Sequence, residues 1–490
     1  MHKRLPAGTW SQWTRSTWRA LLALSALQLS ACAQGVHELG APPTEPPPPD
    51  TNGPCAVQPE EDLSLDLPTW DLKVAQADWD ALHEDVYADV EVPAALCAQG
   101  QSYAIELELQ GSSTRRLAKK SFDLKWKRGA ELQAWPYDDA PPPEPVAIRK
   151  LFLKAMGKDQ SLIREALGFD LYRALGYATP HTGFVNLRIN GAYWGLYATI
   201  EPVNAAYVTA RGYPEGGRLY KGVRKHGSRA DFAPGRDLTR AFETELGPKA
   251  DSDQDDDMDE QPADPPEGEE PDESPDAFEP QMMEEGAPKS EQEAHEEAGL
   301  PDEYAALERL VDRLQHTPLE QGEFEVQVDP IFSLTAYYDR MLWVAFTQNG
   351  DAVAQNFFLY HTGTEEAEHW YQLPWDSDIS FGADYRDVEG VVDTARSPLV
   401  DGGNYFSRRM LKISGLRSRY VERSLGVLDE QLLEAQGLSR LVDYRARLSN
   451  DLELDRARWQ RTTEPSTAFD RIEAFISERG AVLRQALSEL

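Results

Sequence analysis

An acidic segment of low complexity divides this chain into two blocks, each long enough to form a packed core. Residues 251–300 contain 21 acidic residues and one basic residue, Lys289, which gives the segment a net charge of −20. With almost no aromatic side chains, it cannot bury enough apolar surface to offset the entropy of ordering. We therefore expect a disordered insertion at 248–302, between a folded N-terminal part at 55–247 and a folded C-terminal part at 303–490.

The same segment carries most of the negative charge of the chain. The 490 residues include 84 Asp and Glu against 49 Lys and Arg, a formal net charge of −35, so −15 remains outside the segment. A chain this acidic repels the phosphates of nucleic acids, which excludes nucleic acid as the main partner. Hydrophobic residues make up 41% of the chain, which excludes a wholly disordered protein.

The first 32 residues have the organisation of an export signal. A basic start is followed by a short apolar run at 21–29, and the run ends in Leu-Ser-Ala before Cys32. This ending resembles the bacterial lipoprotein box, in which the cysteine is lipidated and becomes the new N-terminus. The alternative is an ordinary signal peptide that is cut after Ala31, with no role for Cys32. The lipoprotein interpretation predicts an exported, membrane-anchored monomer, either periplasmic or at the cell surface.

The residues after the signal suit a tethered protein. A proline-rich linker at 33–54 is expected to act as a semi-rigid spacer. Only Cys55 and Cys97 then remain, and in an exported protein a lone pair is most simply one disulfide. Beyond the signal no apolar run reaches the roughly 18 residues that a transmembrane helix needs.

The pattern of apolar residues predicts strands first and helices later. Alternating runs typical of half-buried strands occur at 63–67, 72–74, 103–109 and 122–126, and a short buried strand is expected at 151–153. Between them, a short helix is expected to start at Asp78. Ser161 is expected to open a longer helix that Gly176 ends. The Asn190-Gly191 pair between two alternating runs is typical of a tight β-hairpin.

Beyond the insertion the spacing of apolar residues becomes helical. A helix is expected from Leu334 to about Gln348, followed by paired strands at 356–361 and 370–375. The last segment, about 404–489, is mostly amphipathic helix. The predicted fold class is therefore α+β, with a strand-rich N-terminal part and a helical C-terminal part.

Four polar residues have the order that a metal-dependent phosphotransferase needs. Asp351 and Asn356 stand five residues apart, and the predicted hairpin that follows leads to Asp376 and Asp378. In protein kinases one Asp orients the attacking hydroxyl group, an Asn five residues later binds metal, and a further Asp binds metal after a hairpin. Carboxylate and amide oxygens suit Mg²⁺. The alternative is a set of exposed turn residues, because the spacing alone is common.

Several motifs resemble the CotH-type spore-coat kinases, and they occur in one order over about 105–225 and 330–425. The segments that carry the resemblance are QGSSTRRLAKKSFDLKW at 110–126, LIRE at 162–165, NLRINGAYWGLYATIE at 186–201, LYK at 219–221, NFFLY at 356–360 and PWDSDISFG at 374–382. The resemblance implies a divergent, two-lobed protein-kinase-like fold. It also implies that ATP and Mg²⁺ or Mn²⁺ are used to phosphorylate Ser residues of a protein substrate.

The resemblance also implies roles for individual residues. Asp351 would be the catalytic-loop aspartate, Asn356 a metal ligand, Asp376 the metal-binding aspartate after the hairpin, and Asp378 a second or supporting carboxylate. Which of the two later aspartates is the main metal ligand stays open.

The basic residues near the predicted phosphate loop are less clearly assigned. Candidates to contact the ATP phosphates are Lys119, Lys120, Lys221 and Arg115, with Glu165 or Glu201 as an acidic partner of the lysine. For each of these, a surface salt bridge is the alternative. Gln110 stands where the family usually has Arg, which removes one positive charge from this loop.

Two classes of function remain consistent with the sequence. The first is a surface-anchored protein kinase, and the second is a non-catalytic structural or adhesive lipoprotein on the same fold. The retention of Asp351, Asn356 and Asp376 favours the enzyme. The acidic insertion could repel ATP, compete for Mg²⁺, or serve as a docking tail for a basic, Ser-containing substrate. A metalloprotease or an esterase is not supported, because the chain has neither an HExxH motif nor a Gly-x-Ser-x-Gly motif.

Overall fold

The computed structural model of the chain describes Cys55 and residues 63–141, 146–245, 302–363, 367–383 and 398–490. The predicted signal peptide with Cys32, the proline-rich linker and the acidic insertion through residue 301 lie outside the described residues. Within the described part, strands dominate the N-terminal region and helices the C-terminal region, so the predicted mixed α+β class is confirmed.

Seven strands form a closed barrel in the order β1-β2-β3-β4-β5-β7-β6. Neighbouring strands pair in antiparallel fashion, except β1 and β6, which are parallel. The strands are β1 Thr69–Lys73, β2 Val92–Ala98, β3 Gln101–Gln110, β4 Ser121–Lys125, β5 Lys150–Lys154, β6 Thr182–Ile189 and β7 Ala192–Ile200. Their alternating apolar side chains fill the barrel with a core of its own, which includes Leu72, Leu107, Leu124 and Leu187.

The start of the barrel differs from the sequence prediction in three places. The alternating residues 63–67 do not form a strand, and β1 begins after Pro68. Strand β2 was not predicted, because Pro93 and a run of alanines hide its alternation. The short helix α1 spans Gln76–Glu84 rather than starting at Asp78, and its N-cap residue is Ala75, which has no capping side chain.

The predicted hairpin at Asn190-Gly191 is confirmed. Asn190 and Gly191 both have positive φ angles, 51° and 90°, as a two-residue turn between β6 and β7 requires. The side chain of Asn190 also accepts a hydrogen bond from the backbone N–H of Val74 at 2.9 Å and donates one to its carbonyl oxygen at 2.8 Å. The turn therefore also holds the chain where it leaves β1.

A second sheet connects the two blocks of the sequence. Its four strands are in the order β11-β8-β12-β13, and a two-stranded ribbon of β9 and β10 lies between β8 and β11 in the chain. The strands are β8 Arg218–Gly222, β9 Arg224–Lys225, β10 Ser228–Arg229, β11 Phe242–Glu245, β12 Phe357–Thr362 and β13 His369–Pro374. Because β8 pairs with β12, the predicted boundary at residue 247 passes through a single sheet. The pairing of β12 with β13 follows the prediction.

Helices pack against the barrel and against one another. After α1 they are α2 Arg164–Ala174, α3 Ala205–Ala210, α4 Leu238–Ala241, α5 Ala305–His316, α6 Gln321–Val328, α7 Leu334–Thr347, α8 Tyr405–Met410, α9 Ser414–Asp429, α10 Leu432–Trp459 and α11 Pro465–Ser488. Helix α2 begins at Arg164, three residues later than predicted, and the Asp159 carboxylate accepts a hydrogen bond from the Arg164 backbone N–H at 2.9 Å. Gly176 follows its end in a left-handed conformation, as predicted.

The predicted disulfide is present. Cys55 and Cys97 are bonded, with their Cα atoms 5.4 Å apart, so the bond ties residue 55 to strand β2. Within the described residues, no helix combines the length and the apolar character needed to cross a membrane.

Candidate active site

Three charged side chains from distant parts of the chain meet between the barrel and the second sheet. Lys154 is the last residue of β5, Glu165 lies in the first turn of α2, and Asp376 follows β13. The Lys154 ammonium lies 2.8 and 2.9 Å from the two Glu165 carboxylate oxygens and 3.0 Å from Asp376 Oδ1. Lys154 and Glu165 are buried, whereas the Asp376 side chain is 35% exposed. The cluster therefore opens to solvent on the side of Asp376.

The charged groups of this cluster alter the pKa values of their neighbours. Burial lowers the pKa of Lys154, but Asp376, Glu165 and Asp378 outweigh it and raise the pKa overall. Burial raises the pKa of Glu165 to about 7, with Lys154 opposing the rise and Asp376 adding to it. Burial also raises the pKa of Asp378 well above its usual range, and the negative charge of Asp376 raises it further. Two carboxyl groups with raised pKa values beside one lysine are typical of a functional site.

Asp351 lies within electrostatic range of this cluster. Helix α7 ends at Thr347, its C-cap residue Gln348 has a left-handed φ angle of 54°, and Asp351 then begins a single 3₁₀ turn. The negative charge of Asp351 contributes to the raised pKa of Asp378. The predicted catalytic aspartate therefore lies close to the predicted metal-binding carboxylates.

Asn356 reaches the same edge of the second sheet as Asp376. It precedes β12, while Asp376 follows β13, and these two strands pair with Phe357 opposite Pro374. The backbone N–H of Asn356 donates to the carbonyl oxygen of Gly222 at 3.0 Å. Asn356 and Asp376 both have left-handed φ angles, 56° and 49°. Such backbone is uncommon outside Gly, Asn and Asp, and it tends to occur where the surroundings fix a functional residue.

Buried contacts join the loop that carries Asp351 to the loop that carries Asp376. They also join the Asp376 loop to helix α2. Asn349 Nδ2 donates to Ser377 Oγ at 3.2 Å, and Asn349 Oδ1 accepts from the backbone N–H of Ala352 at 3.1 Å. Ser377 also packs on Gly168 of α2, where an added Cβ atom would lie 2.5 Å from Ser377 Oγ. The absence of a side chain at residue 168 therefore lets the Asp376 loop approach the helix that carries Glu165.

The residues present fit a hard divalent cation. Asp376, Asp378 and Asn356 supply carboxylate and amide oxygens, which Mg²⁺ and Mn²⁺ prefer. The negative charges of Glu165, Asp351 and Asp376 that act on Asp378 exceed the single positive charge of Lys154, so a bound cation would relieve the repulsion. Across the described ranges, no three His, Cys, Asp or Glu side chains are arranged closely enough to hold a metal by themselves.

The lysines proposed from the sequence lie elsewhere. Lys119 is buried against Asp455, 2.5 Å from its Oδ1 atom, and burial lowers the pKa of Lys119 to about 8. Lys120 donates to the backbone carbonyl oxygen of Arg115, and Lys221 pairs with Glu243 at 3.5 Å. None of these three makes a described contact with Glu165 or Asp376.

The other two charged candidates also have partners outside the cluster. Arg115 pairs with Asp89 at 2.5 Å and lies in the one-turn 3₁₀ helix after the Gly111 turn. Glu201 forms an ion pair with Arg211. Of the two predicted acidic partners, Glu165 is therefore the one that the structure brings to a lysine in this cluster.

Lys154 was not among the site residues predicted from the sequence. It ends the strand KLFLK, whose other residues were noted only as a buried strand. The available signal was the order of elements, since a lysine ends a strand and a glutamate lies in the first turn of the next helix. The family resemblance drew attention to the lysine pair at 119–120 instead.

Comparison with known proteins shows the family to which the chain belongs. The family described as CotH kinase protein matches residues 107–483. The chain belongs to the CotH kinase family. It is also similar to the inner spore coat protein H of Bacillus subtilis (strain 168), with 23% identity over 354 residues, which cover 72% of this chain and 79% of the relative. The CotH match spans the barrel from β3 onward, Lys154, the Asp376 loop and most of α11.

Proposed function

We propose that this CotH family member is a protein kinase that transfers the γ-phosphoryl group of ATP to serine side chains of a protein substrate. The observation that carries the proposal is the contact of Lys154 with both Glu165 and Asp376. In protein kinases a lysine held by a helix glutamate contacts the ATP phosphates, and a nearby aspartate holds metal. The family name and the electrostatic effect of Asp351 on Asp378 support the same reaction.

Each residue has a role that follows from its position. When bound, Mg²⁺ or Mn²⁺ would offset the negative charge of the ATP phosphates. Lys154 would donate hydrogen bonds to phosphate oxygens, with Glu165 fixing its ammonium group. Asp376, Asp378 and Asn356 would hold the metal. Asp351 would take the proton from the serine Oγ as that oxygen bonds to the γ-phosphorus and the bond to the ADP oxygen breaks.

The setting of the reaction is part of the proposal. The signal and Cys32 favour a lipid-anchored protein outside the cytoplasm, and the relative in Bacillus subtilis is named as a protein of the spore coat. The two parts of the chain, a barrel and a mostly helical region with Lys154 and Asp376 at their junction, support a divergent two-lobed kinase fold.

The proposal is tested with purified protein, γ-labelled ATP and two peptides that differ only in Ser or Ala at the acceptor position. We expect label in the Ser peptide alone, dependent on Mg²⁺ or Mn²⁺, and its loss in Asp376→Ala. Thermal unfolding of the variant shows whether the fold is kept. Absence of both transfer and metal-dependent ATP binding in the wild type would contradict the proposal and favour a non-catalytic binding protein on the same fold.

A further inference from the structure

A basic hairpin lies directly beside the proposed catalytic loop. The segment 218–229 contains five Lys and Arg residues and no Asp or Glu, in a chain whose net charge is −35. It forms β8 and the two short strands β9 and β10, with a turn at 226–227. This segment is therefore locally basic in a chain that is acidic overall.

Backbone hydrogen bonds fix the hairpin to the loop that carries Asp351 and Asn356. On one side, the N–H of Asn356 donates to the carbonyl oxygen of Gly222 at 3.0 Å. On the other side, the N–H of Ala230 donates to the carbonyl oxygen of Ala354 at 2.8 Å. Residues 223–229 therefore leave and rejoin the body of the protein at the catalytic loop.

The tip of the hairpin is exposed to solvent and keeps an excess of positive charge. Residues 224–227 are exposed. The cations of the hairpin and of the loop that follows it are Lys221, Arg224, Lys225, Arg229 and Arg236. The carboxylates that pair with four of them are Glu243, 2.7 Å from Lys225, and Asp231, 2.7 Å from Arg236. Five positive charges against two negative ones leave about three in excess at this surface.

We propose that this basic hairpin recognises carboxylate side chains of the protein substrate close to the acceptor serine. The inference rests on the proposed kinase function and names the class of substrate, an acidic segment that contains Ser. A cationic surface beside the reacting group raises the local concentration of acidic segments and orients them, and the effect weakens as salt screens the charges. An acidic substrate differs from the basic substrate that we expected from the acidic insertion.

The test compares three serine peptides whose flanking residues are Glu-rich, Ala-rich or Lys-rich. The wild-type protein is compared with the double variant Arg224→Glu/Lys225→Glu. The matched control is Lys127→Glu/Arg128→Glu, which makes the same charge change in an exposed turn. That turn lies at one end of the β4–β5 pair, and Lys154 lies at the other end. Binding of unphosphorylated, dye-labelled peptides is measured by fluorescence anisotropy, and transfer is measured as kcat/KM.

We expect the wild type and the control variant to bind the acidic peptide about tenfold more tightly than the basic peptide at low salt. The double variant is expected to lose or invert this preference. Equal binding of all three peptides by the wild type, or an unchanged preference in the double variant, would overturn the proposal. Because binding is measured without catalysis, selective binding without any transfer would contradict the kinase function but not the recognition surface.

Discussion

The Nζ atom of Lys154 lies 3.0 Å from the Oδ1 atom of Asp376, although 222 residues separate them in the sequence. The same ammonium group contacts both oxygens of Glu165. One cation thus joins the end of a barrel strand, the first turn of helix α2 and the loop after the β12–β13 hairpin. This contact unites the parts of the chain on which the proposed reaction depends.

Replacing this lysine is expected to abolish most activity. In Lys154→Met, the donor to the ATP phosphates is lost and Glu165 keeps no described cationic partner, so we expect transfer to fall by about 10²- to 10³-fold. Breaking a buried ion pair also costs about 3–5 kcal/mol unless the remaining carboxyl group takes up a proton. Steady-state kinetics and thermal unfolding measure the two effects. A variant with wild-type kcat/KM would exclude Lys154 from the site.

A lysine predicted from the sequence serves as the contrast. Lys119 is buried with Asp455, which also pairs with Arg461 at 2.9 Å. We expect Lys119→Met to lower stability by about 3 kcal/mol, because a buried pair loses one partner. The affinity of the folded variant for ATP should remain unchanged, as isothermal titration calorimetry would show. A loss of ATP affinity at full stability would instead support the original assignment of this lysine to the phosphates.

The close approach of Gly168 to Ser377 predicts a rescue experiment. In Gly168→Ala the new methyl group would meet Ser377 Oγ, so the Asp376 loop must shift and transfer should fall about tenfold or more. A second change, Ser377→Gly, removes the clash and is expected to restore part of the activity.

The matched control for this pair is Gly426→Ala. It lies in helix α9 with open space around its Cα atom, and it should be neutral or gain up to about 1 kcal/mol of stability. If Gly168→Ala behaves like this control in both activity and melting temperature, the proposed packing of the loop on α2 is wrong.

The buried imidazole of His361 is expected to make the free energy of unfolding depend on pH. Burial lowers the pKa of His361 to about 4, and the charges of Arg309 and Arg218 contribute. The folded protein therefore binds fewer protons than the unfolded chain between about pH 6.5 and 4, so stability is complete above pH 6.5 and falls as the pH drops through this window.

The variant His361→Phe keeps a ring against Trp370 but cannot take up a proton. We expect its free energy of unfolding, measured by denaturant titration at pH 7 and pH 4.5, to change less than that of the wild type. The control is His316→Phe, which alters an exposed histidine of α5. Equal pH dependence in wild type and His361→Phe would contradict the assignment.

The sequence predicted those elements whose signals are local. The Asn190-Gly191 turn, the end of α7 near Gln348 and the β12–β13 hairpin follow from residue types a few positions apart. The closure of seven strands into a barrel and the pairing of β8 with β12 depend on contacts between distant segments, which periodicity does not encode.

Contacts between distant segments of the chain also limited the prediction of the site. The three aspartates and Asn356 were found because they lie on one loop–hairpin unit with a recognisable spacing. Lys154 was missed because its partners lie 11 and 222 residues away. Lys119 and Lys120, in contrast, stand in a conspicuous basic cluster, yet their amino groups bond to Asp455 and to a backbone carbonyl group.

The most direct test of the central claim is a single-turnover measurement of γ-phosphate transfer to a serine peptide by wild-type protein and by Asp351→Asn. Asp312→Asn, an exposed substitution in α5, is the control. If Asp351 accepts the serine proton, the variant should bind Mg·ATP as tightly as the wild type but transfer phosphate at least about 10²-fold more slowly. Transfer at the wild-type rate by Asp351→Asn would contradict the proposed catalytic site.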